Sequence, residues 1–180
     1  MEIKSTLINR SGQTLITEYR DIDSTSDLDD RKVHGVHAFC FSGDKLVIVY
    51  SAAKGYWTPP GGGVEQGETV EDAVTREVQE ETNMRVLKQR PIGTLQIFES
   101  DFPKFQIRSV CIVEPIGPFV ADPDLDEGVT EIRLINPTDT KQYFDWGIVG
   151  DHLMKRALEI KAQMDSDPAT QRVTSIDHNS

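Results

Sequence analysis

Residues 59–84 read PPGGGVEQGETVEDAVTREVQEETNM, and the phase of the charges within that stretch decides how the rest of the chain must fold around it. Pro59-Pro60-Gly61-Gly62-Gly63 lets the backbone approach a neighbour closely and exposes its carbonyl and amide groups. Residues 69–81 carry the signals of a helix instead. Thr69 can cap the first turn, and Asp72 complements its free N–H groups. At about 100° per residue, Glu71, Asp72, Thr75, Gln79 and Thr82 share one arc, which is the expected solvent face. Val70, Ala73, Val74 and Val78 occupy the opposite arc. Glu77, Glu80 and Glu81 fall within and beside that apolar arc, because Glu80 is i+3 and Glu81 is i+4 from Glu77. Three carboxylates thus point the wrong way for solvation.

A lone pair of glutamates on a helix usually means an acidic surface, since charges prefer solvent. Here the phase of the apolar residues opposes that reading. Carboxylates converging at a partly buried place repel one another and lose hydration, so they need protons or cations. Hard oxygen ligands suit Mg²⁺, or Mn²⁺ in its place, better than zinc. No Cys/His cluster in the sequence offers a competing site. Arg76, next to Glu77, can orient a carboxylate through a bidentate contact.

A chain of 180 residues with 37% hydrophobic content can bury the core of one domain. The 30 acidic and 19 basic side chains leave a net charge of −11. That balance disfavours a bare nucleic-acid backbone or an anionic membrane as partner and leaves small anions bridged by a divalent metal. Cys40 and Cys111 lie in apolar runs, which predicts reduced core residues rather than a disulfide framework. The start MEIKSTLINRSG lacks the apolar segment of a signal peptide, so a cytoplasmic protein is expected.

Two strand-like runs, 5–8 and 14–19, flank Arg10-Ser11-Gly12-Gln13 and predict a hairpin, followed by an acidic linker at 21–31. Runs 34–42 and 45–51 about Gly43-Asp44 predict a second hairpin. Residues 55–63 are expected to be irregular. Strands are expected at 93–98, 105–113 and 131–135, and a closing helix at 146–164, where Leu153, Ala157, Ile160 and Met164 recur at helical spacing with Leu158 alongside. Strands on both sides of one helix, with a second helix last, indicate a mixed α/β sandwich of the α+β type rather than a doubly wound sheet. The division expected is an N-terminal hairpin and linker (1–31), a main domain (32–164) and a polar, disordered tail (165–180).

The spacing Gly62-x5-Glu68-x7-Arg76-Glu77-Val78-x-Glu80-Glu81-x-Asn83-Met84 closely resembles the signature box of Nudix hydrolases, and the likeness extends over about residues 32–164. Asn83 stands where that pattern has glycine. Asparagine tolerates positive φ better than other non-glycine residues, so it can still end the helix in a left-handed turn. The resemblance implies an α/β/α sandwich and attack of a metal-activated water on phosphorus in a nucleoside diphosphate linked to another moiety. It further implies that Gly61 offers its carbonyl to a metal, that Glu77, Glu80 and Glu81 bind Mg²⁺, and that Arg76 orients Glu77. Glu127, or in second place Glu131, would be the downstream catalytic carboxylate, with Glu127 also at the metal. Glu68 looks structural.

Alternation over 131–135 would turn Glu131 outward beside Arg133, with Ile132 and Leu134 towards the core. Tyr56, Trp57 and Phe98 are candidates to stack on a substrate base, and Phe102 is a fourth ring, although aromatics near strand ends more often serve the core. The acidic run at 122–126 lacks the glycine and the terminal glutamate of a calcium-binding EF-hand. His34 and His37 fall on opposite strand faces and read as structural. The substrate stays open among nucleoside triphosphates, nucleotide sugars and dinucleoside polyphosphates, and a homodimer stays open as well. Two alternatives carry less weight. One is a nucleotide sensor on the same fold that binds without turnover, disfavoured because every acidic position is retained. The other is a diphosphate isomerase, disfavoured because Cys40 and Cys111 are expected in the core.

Overall fold

The computed structural model describes residues 1–99, 102–122, 124 and 128–167. Their elements, in order, are β1 (Glu2–Ile8), β2 (Thr14–Asp21), β3 (Gly35–Ser42), β4 (Lys45–Ser51), β5 (Tyr56–Thr58), β6 (Gly61–Gly63), α1 (Val70–Thr82), β7 (Met84–Phe98), β8 (Lys104–Pro115), β9 (Glu131–Ile135) and α2 (Gly147–Asp165). Among the described residues the strands form one mixed sheet in the order β1-β2-β7-β8-β3-β4-β5, with β6 attached to β3 and β9 to β4. Among the described residues only the β3–β8 pair is parallel.

Alternation along β3 sorts the two halves of the core. Val36, Ala38 and Cys40 face α1 and pack with its Ala73, Val74 and Val78, whereas Phe39 and Phe41 face α2 and pack with Val149, Leu153 and Ala157. The sheet therefore carries one helix on each face, an α/β/α sandwich. The stripe expected on α2 is the buried one: Leu153, Ala157, Ile160 and Met164 all lie in the core. Cys40 and Cys111 are free, buried and opposite each other across β3 and β8. The N-terminal hairpin extends the same sheet through β2 and β7 and buries Leu15 and Tyr19. Its turn reaches β5, where Arg10 donates to the hydroxyl of Tyr56 at 3.2 Å.

Four expectations are corrected. Residues 55–63 contain two short strands, because β4 accompanies β3 only over Cys40–Ser42 and leaves the other end of β3 to pair with β6. Partner backbone, not propensity, makes those strands. β7 starts at Met84 rather than residue 93, since register shifts at Val86/Lys88 and Pro91/Gly93 break the period-two pattern. Thr82 is buried rather than solvent-facing: its hydroxyl donates to the Val78 carbonyl at 2.5 Å and accepts from the Met84 amide at 3.2 Å, which closes the last turn under the next strand. In β9, Ile135 takes the core position and Leu134 is 46% exposed, because β9 is an edge strand whose end is uncovered on the α1 side. The tail from residue 168 onward, and Pro123, Leu125 and Asp126 of the acidic run, lie outside the described residues.

α1 ends at Asn83, whose φ of 53° and ψ of 38° are left-handed. Its side-chain amide also donates to the Pro118 carbonyl at 2.9 Å. Asn83→Gly gains backbone freedom and loses that bond, so its melting temperature should stay close to wild type. Asn83→Val loses both advantages and should be destabilised by about 1–2 kcal/mol in thermal melts. Equal melting of the two variants would contradict the role of the left-handed turn.

Candidate active site

The helix stripe Val74, Glu77, Val78, Glu81 follows the i, i+3, i+4, i+7 spacing of a core-facing surface. Two carboxylates therefore occupy positions where an apolar residue would be expected. Glu77 is 12% exposed as a side chain, whereas Glu80 is 59% exposed. The expectation of burial holds for Glu77 and Glu81 and is corrected for Glu80, which lies about 100° round the helix from Glu81.

The Gly-rich strand meets these carboxylates at contact distance. The Gly61 amide donates to Glu81 at 2.8 Å. A Cβ on Gly61 would lie 2.1 Å from the Val36 carbonyl oxygen, and one on Gly62 would lie 2.4 Å from Glu77 Oε1. Both glycines are thus required by close approach, the first to the backbone of β3 and the second to the carboxylate itself.

Arg76 binds the assembly together. Its Nε and Nη2 grip both oxygens of Glu68, at 2.6 and 3.0 Å. Nη1 donates to Glu77 at 2.8 Å and to Glu80 at 3.2 Å, and Nη2 also reaches the Gly63 carbonyl at 2.9 Å. Glu68 is in turn fixed by the Glu65 amide at 2.9 Å. The hydrogen bonds from Arg76 hold the Glu68 carboxyl below its usual range, and those from Glu68 and Glu77 hold the guanidinium firmly protonated. Sequence reasoning placed Arg76 against Glu77 but missed its stronger grip on Glu68, because that pair is eight residues apart and is joined only when the loop before the helix folds back.

Burial pushes the Glu77 carboxyl up in spite of Arg76. It pushes Glu81 further, to about 7, with Glu77 adding repulsion and the Gly61 amide and Lys54 opposing it. Lys54, in the β4–β5 loop, is a second cation that the sequence did not single out. Among the described residues no three His, Cys, Asp or Glu side chains form a preassembled metal cluster, since Arg76 stands between Glu77 and Glu80. The donor chemistry nevertheless fits a hard divalent cation: two half-buried carboxylates with raised proton affinity, a third beside them, and a glycine-rich backbone against them.

Of the remaining candidates, Trp57 is partly buried against Tyr50 and Tyr143, with the Arg133 guanidinium 4.8 Å from its ring. Tyr56 is exposed and held by Arg10. Phe98 ends β7 beside β2 and is separated from β6 by β8 and β3, and Phe102 is 83% exposed. Glu131 pairs with Arg133 at 2.8 Å on the exposed side of β9. Glu127 lies outside the described residues. His34 accepts the Phe105 amide at 3.1 Å, a structural contact.

A family model for the NUDIX domain matches residues 31–155. The chain belongs to the NUDIX domain family. It is 34% identical over 58 residues to an uncharacterized Nudix hydrolase, YvcI, of Bacillus subtilis (strain 168); the match covers 32% of this chain and 37% of that protein. In three dimensions it resembles the Bacillus subtilis pyrophosphohydrolase BsRppH, with a TM-score of 0.64 at 17% identity over 86% of this chain and 96% of that one. It also resembles an Ap4A hydrolase of C. elegans, with a TM-score of 0.56 at 17% identity over 73% of this chain and 99% of that one. No helix among the described residues is long and apolar enough to cross a membrane.

The elevated Glu81 carboxyl makes a stability prediction for the metal-free protein. Its folded value near 7 exceeds the ordinary 4.5, so the folded state binds more protons than the unfolded one between those values. Stability therefore falls as pH rises through about 4.5–7. Glu81→Gln, which stays neutral, should match wild type near pH 4 and exceed it at pH 8 by on the order of 2 kcal/mol. Thermal melts in chelator across this range check it, and parallel pH profiles for the two proteins would contradict it.

Proposed function

We propose that this protein is a Mg²⁺-dependent hydrolase that cleaves the diphosphate linkage of a nucleoside diphosphate joined to another moiety. The observation that carries the reading is the convergence of Glu77 and Glu81 on the Gly61–Gly63 strand, clamped by Arg76 and Glu68. Membership of the NUDIX domain family supports it, as do the folds shared with a pyrophosphohydrolase and an Ap4A hydrolase. Glu77, Glu80, Glu81 and the Gly61 carbonyl would hold the divalent cation. Once bound, it supplies charge neutralisation on phosphate oxygens and acidifies water.

The chain's own groups do the rest. Arg76 fixes the carboxylate of Glu77 in one orientation, so no rotamer search accompanies substrate arrival. The low-dielectric setting that raises the proton affinity of Glu81 also strengthens its interaction with any cation. Water attacks phosphorus, the bridging P–O bond breaks, and the proton released passes to a carboxylate, for which Glu127 is the proposed acceptor. Glu131, bound to Arg133 on the outer side of β9, is the weaker candidate.

A screen of nucleoside triphosphates, nucleotide sugars and dinucleoside polyphosphates with Mg²⁺, with the phosphate products separated, tests the reading. Glu81→Gln should reduce kcat about a hundredfold or more while the fold is kept. Glu71→Gln should change it little, because Glu71 is exposed and bonded to Thr25 at 3.0 Å. Tight binding without turnover across the whole panel would favour a sensor instead. The downstream carboxylate is tested separately. Glu127→Gln should lower kcat much more than Glu131→Gln and remove an ionisation from the acidic limb of the pH profile; the reverse order would exchange the two roles.

A further inference from the structure

Strand register places Ile3, Tyr19, Leu95, Gln106, Gly35 and Gly63 in one row across the sheet. Ile8 and Thr14 each lie five residues beyond that row, so the β1–β2 hairpin projects past the start of β3 and the end of β6 by roughly 17 Å of strand. Among the described residues β2 pairs with β7 only as far as Ile16, opposite Phe98. The last rungs of the hairpin and its turn therefore stand clear of the next strand. The matched family domain begins at residue 31, and this overhang lies outside it.

The turn is built to hold its own shape. Asn9 Oδ1 accepts from the Ser11 amide at 3.1 Å, the Ser11 hydroxyl at 2.7 Å and the Gln13 amide at 2.9 Å, and Gly12 takes a φ of 82° that suits glycine. The base of the hairpin is anchored on α2: Asp21 accepts from the Tyr19 hydroxyl at 2.8 Å and lies 2.8 Å from His152 Nε2. The contact that the tip makes with β5 is of another kind. Arg10 donates to the Tyr56 hydroxyl at 3.2 Å, and its guanidinium carbon lies 5.4 Å from the centre of the ring. Both residues are exposed, Tyr56 by 43%. Solvated contacts of this type are weak, so this one can open while tip and base keep their shape.

We propose that residues 9–13 form a strap across the approach to the Gly61–Gly63 site, that Arg10 latches it on Tyr56, and that substrate enters when the latch is open. Two observations carry this beyond a surface contact. The latch ties the hairpin, at one end of the strand order, to β5 at the other, and β3, which carries β6, lies between them. The anchor on β5 also borders the carboxylates. Trp57 packs on the α2 side, so alternation turns Tyr56 to the side of α1. In sequence Tyr56 stands between Lys54, whose charge is felt at Glu81, and Gly61, whose amide donates to Glu81. A rigid tip on an anchored base, held at its far end by a weak contact, is the construction of a lid. Its role in access rests on the proposed hydrolase reading, whereas its movement rests on the hairpin alone.

The test has two arms, both on the full chain. Spin labels at Ser11→Cys and Ala53→Cys, two exposed positions, report the distance between the strap and the β4–β5 loop, while Cys40 and Cys111 are buried and stay unlabelled. A short and a long distance should both be populated. Adding Arg10→Ala or Tyr56→Ala should enlarge the long population about threefold, and Tyr56→Phe, which keeps the ring and loses the hydroxyl, should fall between. Melting temperatures should stay close to wild type. A single short distance that none of these variants changes would overturn the strap. In the second arm, Arg10→Cys/Tyr56→Cys is bridged with a bis-maleimide and its turnover of the diphosphate panel is compared with that of the unbridged protein. Bridging should lower kcat/KM at least about tenfold; undiminished turnover would overturn the role in access. If wild type hydrolyses nothing in the panel, the hydrolase reading falls and the access role with it, and the distance arm alone decides whether the strap moves.

Discussion

Two carboxylates in the apolar stripe of one helix are the constraint on which the rest of this structure turns. Glu77 and Glu81 stand where leucine or valine would stabilise α1 against the sheet, and their partial burial raises the proton affinity of both. The surroundings are arranged to make that tolerable. Arg76 neutralises Glu77, the Gly61 amide donates to Glu81, and Glu68 holds Arg76 from the far side. Such a network is far more sensitive to loss of one member than to loss of all, because each deletion leaves a buried charge unpaired. The glycines belong to the same constraint. Without them the strand could not lie against the carboxylates, and the helix would have to move away from the sheet.

The sheet supplies the geometry by dividing one strand edge between two partners. β4 follows β3 for three residue pairs and then pairs with β5 and β9, so the remaining edge of β3 is taken by β6. That division brings the Gly-rich strand under α1. It also puts Gly61, His37 and Arg108 on one line across the sheet.

Much of this was legible in the sequence, for reasons that can be traced to particular residues. The phase of Glu77 and Glu81 against Val74 and Val78, the cap at Thr69 and the left-handed end at Asn83 are all local, and local signals survive folding. The stripe on α2 was legible for the same reason. What the sequence hid was made by partners distant along the chain. Nothing in Gly-Gly-Gly announces a strand, because β6 exists only as an addition to β3. The start of β7 was masked by Pro91 and two register shifts. The exposure of Leu134 depends on what fails to cover β9, and the isolation of Arg108 on the absence of a carboxylate across two strands. Neither can be read from neighbours in sequence.

The distribution of unfavourable groups across the molecule is itself informative. Both hydrophobic clusters are well filled, and the two orphaned buried polar side-chain atoms among the described residues, on His37 and Arg108, fall on the line that starts at Gly61. Local conflict with folding rules is expected where function demands it. Here the conflict on the α1 face consists of negative charge, suited to a cation and through it to phosphate. On the α2 face it consists of a buried guanidinium and an unpaired imidazole nitrogen, both beside the Trp146 ring.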